Sequence, residues 1–150
     1  MTPLSNLYSH SVLSFSDGET QALGCKFGKD LPSHAIVYFF GNLAAGKTTF
    51  IRGLVEGRGG DPFSVQSPTF AYLNTYPGVM HFDLYRLSDQ STFFQMGFEE
   101  YLEQAQICCL EWAERLLNCL PLALSSVPQF SVHLAHVQEG VRKIFLSQLS

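Results

Sequence analysis

The chain has 150 residues, about one domain's worth, and its 46% hydrophobic content with 13 Phe excludes a disordered polymer that could not offset its chain entropy by burial. Nine Lys and Arg against 13 Asp and Glu leave a net charge of −4, which excludes the broad basic field of a non-specific nucleic-acid binder, so any role on RNA is expected to be indirect. The longest apolar runs, 35–40 and 116–124, are respectively too short and broken by Asn118 and Pro121, so no membrane span is expected. The first basic residue is Lys26, which leaves the N-terminus without the charged region of an export signal, and a cytoplasmic location is the expectation. Cys25, Cys108, Cys109 and Cys119 lack the spacing of a zinc site or a redox pair. Buried reduced thiols are expected, with Cys108 and Cys109 on opposite faces of a strand.

In chain order, Glu19, Thr20, Ala22, Leu23 and Lys26 predict a helix over 17–31, with Ser16 or Asp17 as N-cap. The continuous β-branched and aromatic run over 35–40 reads as a strand buried on both faces. Phe50, Ile51, Leu54 and Val55 recur at helical spacing over 47–56, and the glycines at 57, 59 and 60 stop that helix. A loop over 61–68 leads to a short strand over 70–75, a Pro77-Gly78 turn and a second extended stretch over 79–85, the makings of a hairpin. Short helices are expected over 98–104 and 112–117, either side of a second buried strand at 107–111. Two last strands, 130–137 and 143–149, flank the Gln138-Glu139-Gly140 turn. The alternation predicts an α/β fold: a single domain over 1–150 with a central sheet, mainly parallel, carrying antiparallel additions and flanked by helices.

Gly41-Asn42-Leu43-Ala44-Ala45-Gly46-Lys47-Thr48 matches G-x-x-x-x-G-K-[ST] without a gap, placed after a strand and before a helix as a phosphate-binding P-loop requires. In such a loop backbone N–H groups and the helix N-terminus bind phosphate, Lys47 neutralises the terminal phosphates, and the Thr48 hydroxyl coordinates Mg²⁺. Thr49 follows in the first turn of the helix. A carboxylate at the end of a neighbouring strand is also needed for the metal or the attacking water, and Asp83 and Glu111 both qualify. Which does which is left open. Thr69, in Ser67-Pro68-Thr69-Phe70, is a candidate to reach Mg²⁺ or phosphate from the loop after the P-loop helix. His81 shares a strand face with Asp83 and reads as structural, and Trp112 reads by default as a core anchor whose neighbour Glu111 ties it to the site. A small-molecule kinase is disfavoured by the lack of an Arg-rich lid, and a Ras-like GTPase by the lack of Asn-Lys-x-Asp. A nucleotide-gated assembly factor with little turnover is the remaining alternative.

Four motifs in order, the extended P-loop through Thr49, Ser67-Pro68-Thr69-Phe70, His81-Phe82-Asp83-Leu84-Tyr85-Arg86-Leu87 and Leu110-Glu111-Trp112, resemble the TsaE (YjeE) family from about Glu19 to Trp112. The resemblance implies a bacterial cytoplasmic ATPase that uses ATP and Mg²⁺ and is needed for the threonylcarbamoyladenosine (t6A) modification of tRNAs reading codons that begin with A. It implies partners, TsaD and TsaB, which carry out the transfer while this subunit hydrolyses ATP to reset the complex, with tRNA contacted through the assembly. Carried over by motif, Gly41 to Thr49 cradle the nucleotide, Thr69 belongs to a switch-like loop, Lys47, Asp83 and Glu111 are catalytic, and Thr48, Asp83 and Glu111 serve the metal. The resemblance implies an adenine pocket built from the N-terminal helix and a late strand, for which Thr20 and Arg142 are the residues at hand, though the motifs do not assign them as sites. Asn42 and Ala44 replace the family's usual Asp and Gly, Ala113 replaces the proline after Glu-Trp, and 90–94 replaces an acidic stretch.

Overall fold

Six consecutive apolar residues without a polar break leave β2 (Ala35–Phe40) no exposed face, and it becomes the hub of the sheet. The computed structural model describes residues 10–42, 45–66, 72–85, 94–97, 100, 104, 106–112 and 127–149. Among these, β1 (His10–Ser14), β2, β3 (Leu73–Tyr76), β4 (Val79–Asp83), β5 (Ile107–Glu111), β6 (Gln129–Gln138) and β7 (Val141–Gln148) form one sheet in the order β1-β7-β6-β2-β5-β4-β3. The four central strands, β6, β2, β5 and β4, run parallel. Antiparallel pairs, β3 with β4, β6 with β7 and β1 with β7, extend both edges. The expected α/β sheet, parallel in its centre with antiparallel additions, is therefore what the chain forms.

Two helices, α1 (Asp17–Asp30) and α2 (Lys47–Gly57), cover one face. Ser16 caps α1, its hydroxyl accepting from the Glu19 N–H at 3.0 Å, while the Glu19 carboxylate accepts from the Phe15 N–H at 2.7 Å. This is a variant of the reciprocal box that fixes a helix start. Phe27 of α1 and Phe50 of α2 meet at 5.7 Å between ring centroids and reach down to Phe130 and Phe39 of the sheet. The opposite face carries Ile36, Tyr38, Phe82, Cys108 and Leu110. Cys109 lies in the helix-side core and Cys108 in the other, as the alternation of a strand demands. Burial pushes the Cys108 thiol up to about 12 and the Cys109 thiol well above its ordinary range, so both stay neutral and unreactive.

The helices touch through glycine. A Cβ on Gly24 would lie 2.2 Å from the Phe50 carbonyl oxygen, one on Gly28 2.5 Å from that of Leu54, one on Gly53 2.0 Å from that of Gln21 and one on Gly57 2.2 Å from that of Cys25. Two glycines four residues apart on each helix thus face two on the other, and the backbones approach with no side chain between them. Gly57, expected just beyond the helix, is instead the last residue of α2 and a packing position.

The hairpin expected around Pro77-Gly78 joins β3 to β4, with Gly78 at φ 74°. Its first strand begins later than expected because Tyr72, at φ 60°, breaks the extended chain, and it ends on Tyr76; residues 67–71 lie outside the described residues. The expected helix at 98–104 is described only at 100 and 104, and that at 112–117 only at Trp112, which sits in a turn at φ 59°. Strand β1 was not anticipated. It is a short edge whose Ser11 and Ser14 dilute its apolar signal, and pairing with β7 makes it a strand.

The glycine contact gives a direct test. Gly53→Ala should lower the free energy of unfolding by about 1–3 kcal/mol or more, because a Cβ there must push two helix backbones apart. Gly18→Ala, whose Cβ would meet only Ser16 Oγ at 3.7 Å, should cost nothing in the same urea titration.

Candidate functional site

The P-loop leaves the carboxyl end of β2 and turns into α2, the crevice where open α/β sheets bind ligands. Gly41 at φ 152° lies so close to β6 that a Cβ would come within 2.6 Å of the Leu134 carbonyl oxygen, so only glycine fits. Gly46, at φ 102°, is the N-cap of α2, and no side chain caps that end. No acidic residue occupies the first turn, so the positive end of the helix dipole is not neutralised locally. Asn42 is exposed, Ala45 and Gly46 are buried, and Thr48 and Thr49 are half-buried on the first turn. Leu43 and Ala44 lie outside the described residues, as does Thr69. A cavity of about 250 Å³ adjoins the loop, lined by Gly41, Asn42, Ala45, Leu134, Ala135 and His136.

Lys47 folds back over this loop. Its Nζ donates to the Gly41 carbonyl at 2.8 Å and lies 4.1 Å from the centroid of the Trp112 ring, a cation–π contact. Tyr85 also packs against Trp112, at 4.9 Å between ring centroids. Trp112 is therefore half-buried at the mouth of the site and not solely a core anchor. Its left-handed backbone, uncommon for a bulky residue, turns the chain immediately after β5 and sets the ring beneath the lysine.

Asp83 ends β4 and Glu111 ends β5, and the two are direct partners across the strands, in one row with Phe39 of β2. In-register parallel strands put that whole row on the helix-side face, toward α2. Both carboxylates are buried. Asp83 Oδ1 accepts from the Tyr85 N–H at 3.0 Å. Glu111 Oε2 lies 2.5 Å from Nε2 of His81, which is fully buried two residues before Asp83. Burial pushes the Asp83 carboxyl above its ordinary range. The Tyr85 N–H opposes that shift, the Glu111 charge adds to it, and His81 and Lys47 oppose it. The two strand-end carboxylates are thus brought together as expected, and His81 joins them.

Thr20 and Arg142, from α1 and β7, also meet. Arg142 donates to Thr20 Oγ1 at 3.2 Å and pairs with Asp17 at 2.7 Å, while Thr20 shares a 2.7 Å hydrogen bond with Ser14. The guanidinium lies over the P-loop, 3.0 Å from where a Gly46 Cβ would stand.

A family model described as "Threonylcarbamoyl adenosine biosynthesis protein TsaE" matches residues 15–144. The chain belongs to the TsaE family. Among similar proteins is a tRNA threonylcarbamoyladenosine biosynthesis protein TsaE of Treponema pallidum, 38% identical over 73% of this chain and 82% of that one. Another of the same description, from Rickettsia bellii, is 34% identical over 81% and 85% of the two chains. The crystal structure of Bacillus subtilis YdiB superposes with a TM-score of 0.69 over 92% of this chain and 84% of that one at 23% identity, which establishes the shared fold. The match to the family runs well past Trp112, through β6 and the first half of β7, beyond the 19–112 stretch whose motifs carry the resemblance.

His81 and Trp112 are the residues that reading undervalued. The available signal was their sequence position: His81 two residues before one strand-end carboxylate, Trp112 directly after the other. Asp83 carries a test. Because its folded carboxyl holds its proton more tightly than the ordinary value of 3.8, its contribution to stability falls as pH rises through that value and stays reduced above the folded one. Asp83→Asn should therefore raise Tm at pH 7, and the gain should vanish below about pH 3.8, read by thermal unfolding at the two pH values.

Proposed function

We propose that this TsaE family member is the ATP-hydrolysing component of tRNA t6A biosynthesis, acting with TsaD and TsaB partners that carry out the transfer. The observation that carries the reading is the single row of Phe39, Glu111 and Asp83, which delivers two carboxylates beside a helix N-terminus that bears Lys47 and has no side-chain cap. That combination suits a terminal phosphate and little else. The family membership and the names of the relatives support the pathway.

In this reading the loop N–H groups and the α2 dipole bind the phosphate chain, and Lys47 swings from the Gly41 carbonyl and the Trp112 ring to a terminal phosphate oxygen. The donors present are hard oxygens: the Thr48 hydroxyl and the Asp83 and Glu111 carboxylates. Among the described residues no group of three His, Cys, Asp or Glu could hold a metal alone, which fits Mg²⁺ arriving with its nucleotide and taking only one or two carboxylates. When bound, Mg²⁺ would neutralise charge on the β- and γ-phosphates, held by Thr48 and one carboxylate. The other carboxylate orients the attacking water and takes its proton. Arg142, held by Thr20 and lying over Gly46, is a further cation beside the loop in this reading.

Lys47→Ala should abolish Mg-ATP binding while leaving the fold intact. An affinity within about twofold of wild type, a difference under roughly 0.4 kcal/mol, would overturn the P-loop assignment. With two carboxylates but no described acceptor site, the chain alone should hydrolyse ATP slowly. TsaD and TsaB should accelerate phosphate release at least about tenfold, roughly 1.4 kcal/mol off the barrier. Maximal turnover by the purified chain alone, or phosphorylation of a small acceptor, would favour the kinase reading instead.

A further inference from the structure

His81 is fully buried in a row with Val37 and Cys109, both apolar in character, on the two strands to its inner side. Its two nitrogens have different fates. Nε2 lies 2.5 Å from Glu111 Oε2, whereas Nδ1 is buried with no hydrogen-bond partner among the described residues. A carboxylate oxygen can only accept, so Nε2 carries the proton and donates. The ring is therefore anchored at one nitrogen only, on Glu111. An apolar side chain like its neighbours would fill the same volume without burying an orphaned nitrogen, and such an orphan calls for a reason.

We infer that His81 is a positioning residue for Glu111: its Nε2–H pins one carboxylate oxygen and leaves the other for the reacting water or the metal. The inference rests on the reading of Glu111 as part of the hydrolytic site. Glu111 needs such a tether. Its side chain has three rotatable bonds, it is only 3% exposed, and its strand partner is a second carboxylate that repels it. A ring N–H held rigidly in the core fixes the rotamer of that carboxylate from below the site. His81 lies one row below the two strand-end carboxylates, so it is read as acting through Glu111.

The test uses the full chain with its partner proteins, single-turnover ATP hydrolysis, Mg-ATP affinity and thermal unfolding. His81→Leu should slow hydrolysis about 10- to 100-fold with affinity within about twofold of wild type. His81→Gln, whose side-chain amide can place a donor near the same point, should recover most of the rate. In a Glu111→Ala background His81→Leu should cause no further loss, since the residue acts only through Glu111. If His81→Leu hydrolyses at the wild-type rate while Glu111→Ala does not, the inference fails and the proposed site stands; if Glu111→Ala also hydrolyses normally, the site assignment fails. Should His81→Leu not fold, nitrogen-15 NMR of the wild-type ring decides. A proton is expected on Nε2, with a resonance that shifts in Glu111→Gln, and an unprotonated Nε2 or indifference to Glu111→Gln overturns the proposal.

Discussion

The site depends on β2, β5 and β4 running parallel and ending level. Phe39, Glu111 and Asp83 occupy one row across the three strands, so the P-loop, which leaves β2 just beyond, and both carboxylates reach the same edge on the same face. A slip of one residue in either pairing would turn a carboxylate to the other face, away from α2. Register is held by the rows beneath. Ala35, Ile107 and Val79 form the lowest, Val37, Cys109 and His81 the next, and each is buried completely or nearly so. The hydrophobic interior thus sets the geometry of the charged groups above it, and a chemical site is built from an alignment of apolar side chains.

Electrostatically the site is arranged in opposition. A lysine and a helix N-terminus on one side face two buried carboxylates on the other, with the carboxylates close enough that burial and mutual repulsion raise the Asp83 proton affinity. Such crowding costs stability, and it is tolerated where a function requires the groups. Lys47 is held by the Gly41 carbonyl and the Trp112 face, both within the loop's own neighbourhood. A phosphate drawing the ammonium away therefore acts on the P-loop backbone and on the turn after β5 together.

Much of this was legible in the residues. The P-loop signature, the apolar runs that became β2 and β5, the helical spacing of α2 and the strand-end carboxylates all depend on local pattern, which one sequence carries. What was hidden depends on partners distant in the chain. Ser14 is part of a strand because β7 pairs with it, and Gly57 is a packing residue because Cys25 lies against it. His81 gains its meaning from Glu111, thirty positions later. Trp112 owes its place under Lys47 to a left-handed turn, which no propensity for a bulky residue foretells.

The glycines of α1 and α2 also fix where the helices begin. Each lies against backbone of the other helix, pairing 24 and 28 with 50–54, and 53 and 57 with 21–25, so the two run side by side in the same direction as a matched pair. At one of its ends sit Gly46 and Lys47, which belong to the phosphate loop, and Asp17 and Thr20, which grip Arg142 of β7. The starts of both helices, the loop over 41–48 and the β7 strand thus converge on one corner of the fold, with the Arg142 guanidinium as their common neighbour.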